Sequence, residues 1–364
     1  VAELINAREL RFAPDILNVI SPLFYYMGYI AARISVRSYD QAVYFLRQFV
    51  WPILIATPLA LGQSLGNPGI TQLVLAVAPG AGATRRLEND GLTRATGLVG
   101  HWTGFGAYAV CVVAAAVALL IISKHLGLRR PRLALVTLLA AAMCVISTLT
   151  LSVAVAALAI VLCCWRSAGL GRQLLIAAGV LSATASVVFG SLIQARVDQQ
   201  FTDRVSRISW LPDWVPDTLN YRARIWTEQT IPMVQDRPLT GWGTNLYEGV
   251  YLGLEGQRVY PTQLLWHSPE SQWLGSAMTF GLFGLCAQVV LLLAIAHLLI
   301  SAHRERDSML IARPILMLFV MSILVATTVP VFTNRGFPMA FWPLLGVLTG
   351  IYLSGSRSAR NSAD

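Results

Sequence analysis

Six residues in this chain have the right types and spacing for chemistry: Arg94, Arg222, Arg224, His267, Glu270 and Arg335. Each lies just outside or at the end of an apolar segment. Arginine is always charged, and its planar fork grips two phosphate oxygens at once. Four such side chains at one membrane surface would make a clamp for a diphosphate. Glu270 and His267, three residues apart, are the candidates for a base that takes a proton from a hydroxyl. Each has a plainer alternative. A lone arginine can simply be solvated or touch lipid headgroups. An acid in the first turn of a helix stabilises the dipole by about 0.3–1 kcal/mol and needs no further purpose. His267 reads as a supporting residue before a catalytic one, and His101 as a packing or headgroup-level histidine. Arg85 and Arg86 sit in a Gly/Ala-rich loop and are assigned no role.

The elements that must position these residues are mostly apolar. The chain has 364 residues, of which 55% are hydrophobic and 12% charged, and its mean hydropathy is +0.61. Soluble domains carry about a quarter charged residues, so this composition describes an integral membrane protein. Apolar runs near 12–34, 44–61, 101–123, 133–148, 150–165, 174–193, 272–302, 314–331 and 338–354 suggest an all-α polytopic fold of about nine transmembrane helices. The stretch from Leu133 to Trp165 is too long for one ordinary span and is divided around Thr148–Leu151. Residues 1–195 then form N-terminal helices with an external loop at 62–100. Residues 196–271 form a large extracytoplasmic cap, and 272–364 the C-terminal helices with a short cytoplasmic tail. Trp210, Trp214, Trp226, Trp242 and Trp266 mark the cap as packed, since aromatics are scarce in disordered segments.

Arginine placement sets the orientation. Lys124, Arg129, Arg130 and Arg132 mark one cytoplasmic loop; Arg166 with Arg172 mark the next; Arg304, Arg306 and Arg313 mark the third; Arg357 and Arg360 lie in the tail. The cap and the turn Thr333–Phe337 fall on the other side. The cap holds seven arginines against nine acids, so the net charge of +9 arises from the cytoplasmic loops and gives no support for nucleic-acid binding. Cys111, Cys144, Cys163, Cys164 and Cys286 all lie in apolar runs and read as small hydrophobes. The chain opens at Val1 on the non-cytoplasmic side, with no segment that reads as a signal peptide, which fits a protein with further helices ahead of it.

Within the cap, Tyr221–Val234 reads as an interfacial helix with Ile225, Trp226 and Ile231 on its apolar stripe, weakened by Pro232. Pro238 to Gly243 is turn chemistry in which Gly241 and Gly243 can take positive φ. Ser268-Pro269-Glu270 reads as a helix start: cap, proline at the first position, acid in the first turn. The sequence has no zinc spacing, no P-loop and no G-x-S-x-G elbow, and its external loops lack a close Asp-x-Asp pair for Mg²⁺ or Mn²⁺.

Taken in order, these motifs resemble the O-antigen ligase and O-antigen polymerase superfamily. The matching elements are Arg222 with Trp226, the Pro-Leu-x-Gly-x-Gly turn Pro238 to Gly243, and Pro269-Glu-Ser-Gln-Trp-Leu274 followed by Gly281-Leu-Phe-Gly-Leu285. Arg94-Ala-Thr-Gly-Leu-Val-Gly100 is similar to an earlier family element. There are two departures. Glu270 and Ser271 stand where the family has histidine and asparagine, and Ser152-Val153 stands where it has a Ser-Arg pair. The family histidine helps activate the acceptor hydroxyl, a task a carboxylate can also perform.

The resemblance implies a metal-independent, inverting glycosyltransferase of the bacterial inner membrane with an extracytoplasmic active site and no cofactor. Its donor would be a polyprenyl-diphosphate-linked oligosaccharide such as an undecaprenyl diphosphate glycan, and its other partners a glycan acceptor and membrane lipid. A flippase and a chain-length regulator are compatible partners; nucleic acid is not. Arg94, Arg222, Arg224 and Arg335 would hold the diphosphate, with Glu270 and His267 as base. Because of Glu270, a polymerase of surface or exopolysaccharide repeat units is preferred to a ligase. A flippase of lipid-linked glycan is the alternative of another class, but it should place its site near the midplane. A scaffold subunit would need no clamp.

Overall fold

The computed structural model describes residues 12–78, 94–128, 132–168, 171, 189–195, 197–198, 208–243, 268–305 and 308–361. These residues are helical with connecting turns. In chain order the helices are α1 Phe12–Ser35, α2 Tyr39–Val50, α3 Ile53–Ser64, α4 Pro68–Val77, α5 Trp102–His125, α6 Arg132–Ser147, α7 Leu151–Ala168, α8 Asp217–Arg224, α9 Ile231–Asp236, α10 Gln272–Arg304, α11 Met309–Val325 and α12 Gly336–Asn361. The chain divides into two compact units. One comprises 1–19, 194–295 and 326–330; the other comprises 20–193, 296–325 and 331–364.

Five stretches among the described residues are long and apolar enough to cross a membrane: Tyr39–Ser64, Trp102–His125, Leu151–Ala168, Gln272–Arg304 and Gly336–Gly355. Among the described residues the expected nine are therefore not all present as such. Helix α6 and helix α11 are apolar but short, at 16 and 17 residues, against the roughly 20 that a perpendicular span takes. Helix α1 has 24 residues, but its tyrosines, prolines and Asn18 dilute its hydropathy. The expected span at 174–193 falls mostly outside the described residues. The division of 133–165 holds: α6 ends at Ser147 and α7 begins at Leu151.

In the larger unit α5 is the axis. It is apolar on all sides, and 94% of its most apolar window is buried, the pattern of a helix surrounded by others. Helices α2, α6, α7, α11 and α12 pack around it. Small residues set the closest approaches. A Cβ on Gly336 would collide with the carbonyl of Gly104, and Cβ atoms on Gly346 and Gly350 would collide with the carbonyls of Tyr29 and Val36. Gly346 and Gly350 are four apart on one face of α12, so this is a small-xxx-small seam against α1.

Candidate active site

The smaller unit holds the part of the cap that carries Arg222 and Glu270. Its helical run extends beyond the expected Tyr221–Val234, from Asp217 to Asp236, and its middle, Ile225–Thr230, is wound as a π-helix. Pro232 explains the register. It has no N–H to donate, and its ring would crowd the carbonyl four residues back in an α-helix. The wider turn relieves both: the Ile231 N–H reaches Trp226 O, five residues back, and Thr230 Oγ1 donates to Ile225 O at 3.1 Å. The buried stripe also differs from expectation. Asn220, Ala223, Ile225 and Met233 are buried, whereas Ile231 is exposed. The π turn rotates everything after it. Such turns recur at functional sites.

Arg222 and Trp226, one turn apart, both reach the segment before α10. Arg222 Nη2 lies 3.5 Å from Glu270 Oε2, with the two side chains 22% and 33% exposed. Trp226 Nε1 donates to Pro269 O at 2.7 Å. Arg222 Nη1 donates to Thr218 O at 3.2 Å, and its Nε is enclosed with no partner among the described residues. Glu270 itself has φ +50°, a conformation that costs a non-glycine residue of order 1–3 kcal/mol and persists only where its surroundings enforce it. Here the enforcing contacts are the two side chains from the π-wound helix.

This geometry corrects the expected helix start. Helix α10 begins at Gln272 and has no acid in its first turn; Gly275 N bonds to Ser271 O, making Ser271 the cap. Ser268 Oγ instead accepts from Glu270 N at 3.2 Å. Glu270 precedes the helix, so complementing its first turn is not what holds this carboxylate in place.

The two glycine motifs prove to be one structural device. Gly281 has φ +65° and ψ −171°, which breaks α10. A break there orphans the carbonyls of Met278 and Thr279 and the N–H groups of Leu282 and Phe283. The Pro238–Gly243 turn satisfies all four. Trp242 N and Gly243 N donate to Met278 O at 2.9 Å and Thr279 O at 2.8 Å, while Leu282 N and Phe283 N donate to Pro238 O at 2.7 Å and Leu239 O at 3.5 Å. Gly241 and Gly243 have φ +65° and +89°, as expected. A Cβ on Gly241 would fall 2.5 Å from Gly281 N, and one on Gly281 would strike the Leu239 carbonyl. Trp242 seals the junction: its Nε1 donates to Met233 O at 2.8 Å, its ring packs with Met233 and Met278, and Arg237 stacks 4.0 Å above it. Ser276 Oγ meets Gln288 Oε1 at 2.5 Å. Twelve residues of straight helix would rise about 18 Å, so that contact closes only because the chain turns sharply at Gly281.

The remaining sequence candidates are placed as follows. Arg224 makes a bidentate pair with Glu228 at 2.7 and 3.0 Å, which raises its pKa further through that hydrogen bond. The i,i+4 spacing of Arg224 and Glu228 is the sequence signal for this pair. Arg94, in the larger unit, donates to Thr148 O, Leu149 O and Thr150 Oγ1 at 2.9 to 3.1 Å and lies over Trp102. It thereby ties its loop to the end of α6. Arg335 is exposed in the turn before α12. His101 caps α5, its Nδ1 accepting from Thr103 N. His267 lies outside the described residues.

Residues 135–289 match the family model described as O-antigen ligase. Over that span the chain is similar to the O-antigen ligase family. The matched span contains Arg222, Trp226, Glu270 and both halves of the glycine junction, and excludes Arg94 and Arg335. No curated protein matches this chain. The match supports a multi-pass membrane enzyme related to the ligase and polymerase superfamily. Its description favours the ligase alternative over the polymerase preference drawn from Glu270.

Proposed function

We propose that this protein transfers a glycan from a polyprenyl diphosphate to an acceptor hydroxyl in the manner of an O-antigen ligase, on the extracytoplasmic face of a bacterial cytoplasmic membrane. The observation that carries this is Glu270, held at positive φ by Arg222 and Trp226 and open to solvent. Glu270 takes the proton of the acceptor hydroxyl as its oxygen attacks the anomeric carbon. The bond from that carbon to the diphosphate oxygen breaks, and the electron pair leaves with polyprenyl diphosphate, inverting the centre. Arg222 orients the carboxylate. Its enclosed Nε, an unsatisfied donor costing about 1–3 kcal/mol, gains an acceptor when a diphosphate oxygen arrives.

The direct test supplies purified protein with a labelled lipid-linked donor and two acceptors, a lipid-anchored core glycan and a second lipid-linked repeat unit. Label on the core glycan is the expected result. Label lengthening only the lipid-linked chain would make the protein a polymerase, and donor movement with no new glycosidic bond a transporter. Because arginine meets the charge on the leaving group, turnover should survive EDTA. Loss with EDTA and rescue by Mg²⁺ or Mn²⁺ would overturn the arginine role.

Orientation has its own test. Asp213 and Arg304 are both exposed. In the chain with its exposed native cysteines, Cys163 and Cys286, replaced by serine, Asp213→Cys should react with an impermeant maleimide in intact cells. Arg304→Cys should react only after permeabilisation. The reverse pattern would put Glu270 on the cytoplasmic side and end the proposal.

A further inference from the structure

At the end of the larger unit where the basic residues collect, an open cavity of about 530 Å³ is lined by Cys163, His303, Met309, Arg313, Leu316 and Met317. It has no part in the transfer site. Its wall is apolar along Met309, Leu316 and Met317 and cationic at Arg313. Arg313 Nη1 is fixed by a 2.8 Å hydrogen bond to Ser167 Oγ, which sets the plane of the guanidinium. Its Nε and Nη2 have no acceptor among the described residues. Next to it, His303 Nδ1 is enclosed with no partner among them. Lys124 Nζ approaches the carbonyls of Arg166 and Ser167 at 3.4 Å, bringing a second cation to the same end of α7. Glu305, whose Oε2 is also enclosed without a partner among the described residues, follows two residues after His303 and does not line the cavity. The cysteine, histidine and two methionine side chains are soft metal donors, but Arg313 in the same wall repels a cation.

A cation with free donors and an unpartnered imidazole, beside an apolar wall at the ends of membrane helices, are the recognition elements for a phosphate carrying an acyl chain. We propose that this cavity seats an anionic phospholipid, with Arg313 and His303 on the headgroup phosphate and the methionines and Leu316 along the chain. Basic pockets between membrane helices bind lipid headgroups in this way, and arginine suits a phosphate better than lysine because of its fork.

Cys163 lines the cavity and is exposed, so it is a built-in reporter. Cys286, also exposed, is first replaced by serine. The full chain in neutral detergent is then alkylated with a water-soluble maleimide in the presence of phosphatidylglycerol, phosphatidylcholine or inorganic phosphate. Phosphatidylglycerol alone should slow labelling of Cys163. In Arg313→Gln, which can still donate to Ser167, half-protection should need about tenfold more phosphatidylglycerol, the loss of one charge-assisted contact. Arg313→Lys, which keeps the charge but loses the fork, should fall between the unmodified protein and Arg313→Gln. Equal protection by phosphatidylcholine would reduce the cavity to an apolar groove and overturn the proposal. So would undiminished protection in Arg313→Gln. Protection by inorganic phosphate alone would replace the lipid with a soluble anion.

Discussion

Glu270→Gln should lower turnover by at least ~100-fold while donor binding stays within about twofold of the unmodified protein, since a positioned general base contributes 10²–10⁴ in rate. Glutamine keeps the shape and can still accept from Arg222, but it cannot take the acceptor proton. A change confined to turnover is the signature of an interaction made in the transition state. The backbone allows a sharper form of the experiment. Glu270 sits at φ +50°, which glycine tolerates without strain. Glu270→Gly should therefore leave thermal stability unchanged or raise it by up to about 1 kcal/mol, while abolishing turnover. A residue present only for structure would show the reverse: lower stability with glycine and full turnover with glutamine. Full turnover in Glu270→Gln would remove it as the base.

The glycine-rich turn was legible in the sequence, but Gly281 was legible only as part of a family motif inside an apolar run, 272–302, that reads as one helix. Glycine at 241, 243 and 281 announces backbone that a side chain would obstruct, yet nothing in linear order says that the obstruction is the other motif. Their pairing depends on four backbone hydrogen bonds across about forty residues, and backbone groups leave no mark on residue type. The same limit hid the state of Glu270. Ser-Pro-Glu is a good helix start by local preference, and here Arg222 and Trp226 override it from another element. The Arg222–Trp226 spacing was readable because one helical turn places both side chains on one face. That spacing also explains the presence of both: one holds the carboxylate, the other the preceding carbonyl. The π turn that follows was visible only as a proline at 232 expected to weaken a helix. Arg94 shows what residue order leaves out. Its position before a helix suggested a ligand contact, and its side chain is occupied with carbonyls at the end of α6.

Gly281→Ala should destabilise the protein by more than about 2 kcal/mol and reduce transfer in the fraction that remains folded. Two costs combine. Alanine at φ +65° and ψ −171°, a region essentially confined to glycine, is strained by roughly 1–3 kcal/mol, and its Cβ would meet the Leu239 carbonyl, where backbone cannot rotate aside. If α10 instead straightens to accept alanine, Met278 O and Thr279 O return to their own helix and the Pro238–Gly243 turn loses all four of its partners. The short helix Gln272–Phe280 then realigns with the segment beyond it, and Ser276 no longer reaches Gln288. Glu270 stands just ahead of that short helix, so its carboxylate shifts relative to Arg222. Gly241→Ala should reproduce the effect from the other side, because its Cβ would fall on Gly281 N and the Thr279 carbonyl. The double variant should then cost less than the sum of the two, since either one alone opens the junction. Gly243→Ala is the control: it too has positive φ, but its Cβ would meet nothing within 4 Å among the described residues, so it should show the strain alone. Measured by thermal unfolding in detergent beside transfer per folded molecule, equal losses at Gly243 and Gly281 would mean that conformation, not the backbone junction, is what these glycines supply.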